Sequence, residues 1–246
     1  MSAASRRVLA QTRFETLAVL RNGEQLLLTL LLPAIALVAL ATTDLVPLPG
    51  PREHAALGSA LAMAVASSFT SQAIAVAFDR RWGVLRMLAT TPLGQRGLLA
   101  GKLGAVLVVL VVQTVLLGAI GLAVGWRPDG LDLVQVAGAA ALMVVGTGVF
   151  VSFAMLVGGT LRPEAVLAIA NLLFVLMVVS GGLVLPLDML PGAVATALAF
   201  LPPGALGEAL RALLTDGTVD LVGLAVLAAW AVLGGVLATR AFRWDA

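Results

Sequence analysis

Six stretches of 19 to 25 residues, 25–43, 57–78, 103–125, 133–157, 165–185 and 221–239, contain no Asp, Glu, Lys or Arg. Crossing the hydrocarbon core of a bilayer takes about 20 apolar residues, and a charge at mid-membrane costs roughly 2.5–3.5 kcal/mol on an insertion scale. Uncharged runs of that length are therefore the map of a membrane protein. The composition agrees: the 246 residues are 61% hydrophobic and 11% charged, with a mean hydropathy of +1.08, whereas a water-soluble chain carries about a quarter charged residues. Inside lipid every backbone N–H and C=O must be paired within its own segment or around a closed barrel, and these runs lack the alternation of barrel strands. The expectation is an all-α integral membrane protein, residues 1–246 forming one domain of six transmembrane helices.

Counting Lys and Arg on the two sides of an even-numbered topology sets its direction. One side collects Arg6, Arg7, Arg13, Arg21, Arg80, Arg81, Arg86, Arg96, Lys102, Arg162, Arg240 and Arg243; the other has Arg52, Arg127 and Arg211. Both termini are expected in the cytoplasm. Trp82, Trp126 and Trp244 fall at span ends, where an indole is stable among headgroups, and Trp230 reads as packing. Met189 to Gly207 is also uncharged, but its apolar part before Pro202 and Pro203 is short, so it is expected to be a re-entrant outer segment between spans five and six. The charged leader is long and the run that follows is span-length, which favours an uncleaved first helix over a signal peptide despite Ala39-Leu40-Ala41. Between Arg6 and Asn22, Ala10, Phe14, Leu17 and Ala18 share a helical face, as in a helix lying at the interface.

Much chemistry is excluded. Without Cys, and with His54 as its single histidine, the chain has no disulfide, thiolate zinc site, cysteine nucleophile or histidine metal cluster. The pI near 10.4 accompanies a net charge of only +2 and carries no nucleic-acid signal. No acidic residue sits mid-span, which argues against a proton or sodium relay. Asp44, Glu53, Asp129, Asp132, Asp188, Glu208, Asp216 and Asp220 gather on the outer side as solvated charges. Span two carries Ser67, Ser68, Thr70, Ser71 and Gln72, a density of polar groups that expects protein or water opposite it. Gln113 and Asn171 also need partners, because a bare amide in hydrocarbon is costly. Gly121 to Gly125 is a small-xxx-small packing element.

Between spans two and three, FDRRWGVLRMLATTPLGQRGLLAGK (Phe78 to Lys102) is too polar to insert and too apolar for a disordered linker. Val84, Leu85 and Leu88 share a face at helical spacing, Gly83 permits a sharp turn, and Pro92 ends the short helix. Such a helix suits docking into a groove on a soluble partner; it equally suits lying on anionic headgroups. GLLAGK, residues 97–102, has the wrong spacing for a Walker loop and lacks the following Ser or Thr.

This loop, with Asp79 beside Arg80, then Gly83, Leu85, Leu88, Thr91-Pro92 and Lys102, resembles the permease subunits of type-2 ABC exporters, a class that includes drug-resistance and polysaccharide-export permeases. The Arg-rich leader entering a first span with Pro33 is similar as well, as is LPLDMLPGAVATALAFLPPGALGEALR with Pro186, Pro191 and Pro202. The resemblance covers essentially the whole chain. It implies a permease that moves a hydrophobic or amphipathic substrate (drug, lipid or lipid-linked glycan) out across a bacterial plasma membrane, as in multidrug efflux. It further implies a second permease copy or paralogue beside it and two ABC ATP-binding subunits. The chain itself would hold no cofactor, ATP and Mg being bound by those subunits. Coupling would fall to Arg81, Gly83, Val84, Leu85, Arg86, Leu88 and Pro92. Phe69, Gln72, Asn171 and Phe174 would line the pathway, and Pro186, Asp188, Pro191 and Pro202 the outer gate. The alternatives are a haem-export-like or structural permease component, or an intramembrane enzyme, for which His54 has no evident partner.

Overall fold

A computed structural model describes residues 2–23, 27–128 and 132–241. Among them every regular element is helical. Helix α1 (Ala3–Leu20) starts behind Ser2, whose Oγ accepts from the Ser5 N–H at 3.1 Å, the usual way to satisfy an orphan donor. A π-helical turn, Leu27–Leu31, leads into α2 (Leu32–Thr42). Then come α3 (Arg52–Arg81), α4 (Val84–Ala89), α5 (Gly94–Ala123), α6 (Leu133–Thr160) and α7 (Pro163–Val179). A 3-10 turn (Leu187–Met189) precedes α8 (Gly192–Ala199), α9 (Pro202–Asp216) and α10 (Leu221–Ala241).

Helix α3 is the axis, packed against α2, α5, α6, α7 and α9. Its buried length is built mostly of Ala, Ser and Gly, side chains small enough to let neighbouring backbones approach. A Cβ on Gly58 would lie 3.0 Å from the Arg211 backbone of α9, and one on Gly158 of α6 would lie 2.5 Å from the Ala73 carbonyl of α3. The outside is apolar: Val111 and Val115 on α5, Leu172 and Val175 on α7, and Val222 and Val232 on α10 are exposed. This is the pattern of a bundle solvated by lipid.

Helices α3, α6 and α10, and α5 from Ala100 on, are long and apolar enough to cross a membrane; α8 and α9, bent by 91°, would add a fifth span if counted together. Two expected spans are shorter than their uncharged runs. The first begins at Gln25, outside the described residues, and its helix is seen over 27–42. The fifth stops at Val179, short of Leu185. The reason is Gly181-Gly182. A Cβ at Gly181 would sit 2.6 Å from the Met177 Cα, and Gly182 takes φ +84°, a conformation that ends a helix. Pro186 then provides no N–H to resume it.

The contacts sort the connections to two ends. Arg7 on α1 donates to the Pro92 carbonyl at 3.0 Å, and Arg81 pairs with Glu164, which puts α1, α4 and the α6–α7 turn at one end. At the other, His54 Nε2 lies 3.1 Å from the Arg127 carbonyl and Gln135 Nε2 lies 3.4 Å from that of Gly217. The α8–α9 segment belongs to this second end. Helix α1 lies along α5, with Leu9, Phe14 and Leu17 outward. Trp82 is exposed, Trp126 packs on the core beside His54, and Trp230 donates to the Phe200 carbonyl at 2.8 Å. Trp244, Arg243 and Asp129 lie outside the described residues.

Candidate functional site

The short helix α4 is framed by two turns that only glycine adopts easily: Gly83 has φ +71° and Gly94 φ +65°. Between them Thr91 Oγ1 donates to the Leu88 carbonyl at 2.7 Å and accepts from the Leu93 N–H at 3.3 Å, ending the helix ahead of α5. Leu85 is buried at 2% exposure among Val76, Leu98, Val106, Val151, Met155 and Ala238, and Leu88 packs on the same cluster. The leucines expected to face a partner are thus turned into the chain's own core, because each has apolar neighbours from α3, α5, α6 and α10 to pack on. What the elbow offers outward is Trp82, its ring tilted against that of Phe78 with centroids 5.2 Å apart, with Arg86 and Met87. Val84 is half-buried, Pro92 and Arg81 are exposed, and the Arg96 side chain lies outside the described residues.

Behind the elbow a charge cluster ties three helices. Lys102 Nζ on α5, 1% exposed, lies 2.7 Å from Asp79 Oδ2 on α3 and 2.9 Å from Glu15 Oε1 on α1. A buried ammonium persists only when paired in this way. Helix α1 reaches it because α5 presents Gly101 and Gly104: a Cβ there would fall 2.5 Å from Gln11 Cγ and 2.7 Å from Thr12 Oγ1. Those glycines, unsuited to a phosphate loop, serve helix packing. Arg80 donates to the Gly159 and Leu161 carbonyls, placing a cation at the C-terminal end of α6. Glu164 opens α7; the hydrogen bond at its own backbone N–H, and then the Arg81 charge, hold its carboxyl below the usual range.

At the opposite end Arg211, counted among the outer cations, is 1% exposed, and Glu208, expected as a solvated charge, is its ion-pair partner. Its Nη1 donates to the Leu183 carbonyl at 3.0 Å and Ser59 Oγ at 3.1 Å; its Nη2 donates to the Gly182 carbonyl at 2.8 Å and Glu208 Oε1 at 2.7 Å. Glu208 also accepts the Leu187 N–H at 2.7 Å. The helix break at Gly181-Gly182 thereby supplies the acceptors that a buried guanidinium requires. A signal was present in sequence: Gly204 and Gly207 precede Arg211 by seven and four residues, so the cation rides on a glycine face of α9. Of the outer-gate candidates, Pro186 is buried, Asp188 and Pro191 are exposed, and Pro202 is half-buried.

The four pathway candidates do not converge. Phe69 lines an open, wholly apolar groove of about 240 Å³ with Phe150, Phe153, Met177, Pro202 and Trp230. Gln72 faces a separate small polar cavity. Phe174 is in the core and Asn171 is exposed on α7. Gln113 has a structural role: Pro33 has no N–H for the carbonyl four residues earlier, and that carbonyl, of Thr29, accepts from Gln113 Nε2 at 2.5 Å. Among the described residues no three His, Cys, Asp or Glu side chains are grouped to hold a metal.

The model of a family described as ABC-2 family transporter protein matches residues 25–240, nearly the whole chain. No curated protein matches it.

Proposed function

We propose, since the chain belongs to the ABC-2 family of transporter proteins, that it is the permease of an exporter in which ATP bound and hydrolysed with Mg on separate subunits drives movement through the elbow at α4. Family membership makes it a multi-pass membrane component of an ABC transporter, working with an ABC ATP-binding subunit.

In this reading the first span, whose helix is seen over 27–42 and ends in α2, and helices α3, α5, α6, α7 and α10 each cross the membrane. Helix α7, at 17 residues, is about 25 Å long, at the short limit for a span. The positive-inside count supports a cytoplasmic elbow end, and the membrane in this reading is the plasma membrane of a bacterium. The bent α8–α9 pair then enters from outside and returns, with Pro186, Asp188, Pro191 and Pro202 around its mouth as the outer gate.

The observation that carries the proposal is the division of the elbow into an inward and an outward face. Leu85 and Leu88 fix α4 to the bundle, Gly83 and Pro92 set its ends, Val84 packs beside it, and Arg86, Met87 and Trp82 remain for a partner, with Arg81 exposed beside them in its pair with Glu164. A push on the outward face is delivered to α3 and α5 as rigid bodies, which is what exchanging inward-open and outward-open states requires. Two ATP-binding subunits need two such elbows and hence a second permease. The exposed Asn171, in an otherwise apolar stretch of α7, supports a neighbouring permease there, because an amide facing lipid has no partner. The apolar aromatic groove beside Phe69 supports a hydrophobic or amphipathic substrate, and Gln72 and Phe174 would act from α3 and α7 behind it.

The test is Arg86→Glu, with the ATP-binding subunit co-expressed. Insertion and yield should match wild type, while recovery of that subunit and ATP-dependent transport fall by at least several-fold. Full recovery and full transport with the reversed charge would overturn the docking role.

A further inference from the structure

We propose that the small enclosed cavity at the centre of the bundle is a binding site for one water molecule, bridging Gln72 Oε1 on α3 and Thr147 Oγ1 on α6. The inference concerns the interior of the bundle and stands apart from the transport reading. Both residues line a cavity of about 20 Å³, enough for one water, which requires roughly 10–15 Å³ and two to four polar partners. Gln72 is 5% exposed and Thr147 1% exposed, and neither oxygen has a hydrogen-bond partner. An unpaired polar atom at such a depth costs free energy comparable to a lost hydrogen bond, so two sharing one cavity call for a common partner.

The rest of the lining specifies what that partner is. Ser67 and Ser68 donate to the Ala64 and Val65 carbonyls at 2.7 and 2.6 Å, and Ser71 lies 3.5 Å from the Ser68 carbonyl. With their protons committed to their own helix, these hydroxyls face the cavity as acceptors. Gln113, also in the lining, sends one of its two Nε2 protons to the Thr29 carbonyl. A space rich in acceptors needs a donor, and water brings two. A sodium ion would also suit oxygen ligands, but among the described residues the lining contains no carboxylate, and an uncompensated charge in this interior is far more costly than a neutral guest. The site lies beside the middle of α3, where Val19 of α1, Thr29 of the π-helical turn, α5 and α6 converge on it. An exchangeable bridge here lets α3 shift slightly against α6 without stranding either polar group.

Two measurements test this, on the full chain in bicelles. Replacing Thr147 with Val keeps the side-chain shape and removes the hydroxyl. If water is bound, the variant strips it of a partner, and the folding equilibrium constant should fall about three- to tenfold, with Thr147→Ser restoring much of the loss. If the cavity is dry, Val removes an unpaired hydroxyl, and stability equal to or above wild type overturns the proposal. The second measurement is independent of any variant: a density map that resolves other buried waters should show one peak within hydrogen-bond reach of Gln72 Oε1 and Thr147 Oγ1. An empty cavity in that map overturns the proposal whatever the variants do, as does stability that rises with sodium but not with choline.

Discussion

Two cations are only 1% exposed, one at each end of the bundle, and they are held differently; Arg80, also buried at the elbow end, rests on the Gly159 and Leu161 carbonyls. Lys102, at the elbow end, is a point charge between two carboxylates donated by two other helices. Arg211, at the opposite end, is a planar fork fixed by two backbone carbonyls, a serine hydroxyl and one carboxylate of its own helix. Side-chain pairs around an ammonium can re-form over a range of geometries, whereas a guanidinium keyed to backbone carbonyls accepts little displacement. The difference teaches where the molecule can give: α1, α3 and α5 are joined by an adaptable contact beside the elbow, while α9 and the turn after α7 are clamped to the start of α3.

That contrast is broken most forcefully at Arg211. Arg211→Met leaves the Gly182 and Leu183 carbonyls without this donor and Glu208 with only the Leu187 N–H, and unfolding in bicelles should show a loss of about 3–5 kcal/mol. Arg211→Lys should recover little of it, since an ammonium lacks the fork. Lys102→Met should be milder, about 2–3 kcal/mol by the same measurement, because Glu15 and Asp79 are partly exposed and recover some hydration. Lys102→Arg should retain most stability, the opposite of the response at 211. Equal responses of both sites to the Lys–Arg exchange would remove the distinction.

Smaller effects sharpen the elbow end. Gly101→Val drives a side chain into Gln11 and should cost about 1–3 kcal/mol, read also as increased protease access to α1. The Arg81–Glu164 pair is more than half exposed on both sides. Because the Glu164 carboxyl is held low by its own backbone N–H and then by Arg81, any contribution is present above the ordinary carboxylate range and lost as pH falls through the lowered value. Solvent screening makes that loss too small to move an unfolding midpoint, and Glu164→Gln should match wild type.

Much of the fold was legible because membrane insertion reads charge directly. The uncharged runs located α3, α5, α6 and α10, and the short Pro-bounded apolar segment marked the bent α8–α9 pair. Family membership was legible in the Gly83–Pro92 elbow. The break at Gly181-Gly182 was not, since an uncharged run does not distinguish helix from a buried turn that finds its partners in another segment. The burial of Arg211 was not legible for the same reason: its acceptors include residues 28 and 29 positions earlier and Ser59, none of which local spacing reveals. The inward turn of Leu85 and Leu88 depended on where four other helices place their apolar side chains.

The claim that energy enters at the outward face of α4 is tested most directly by cross-linking. The chain has no cysteine, so Met87→Cys gives a single attachment point for a photoreactive group on the complex with its ATP-binding subunit. The account predicts adducts with that subunit, altered when ATP is bound and absent when the group is attached at position 188. Labelling of position 87 from outside the cell, or adducts with phospholipid alone, would contradict it.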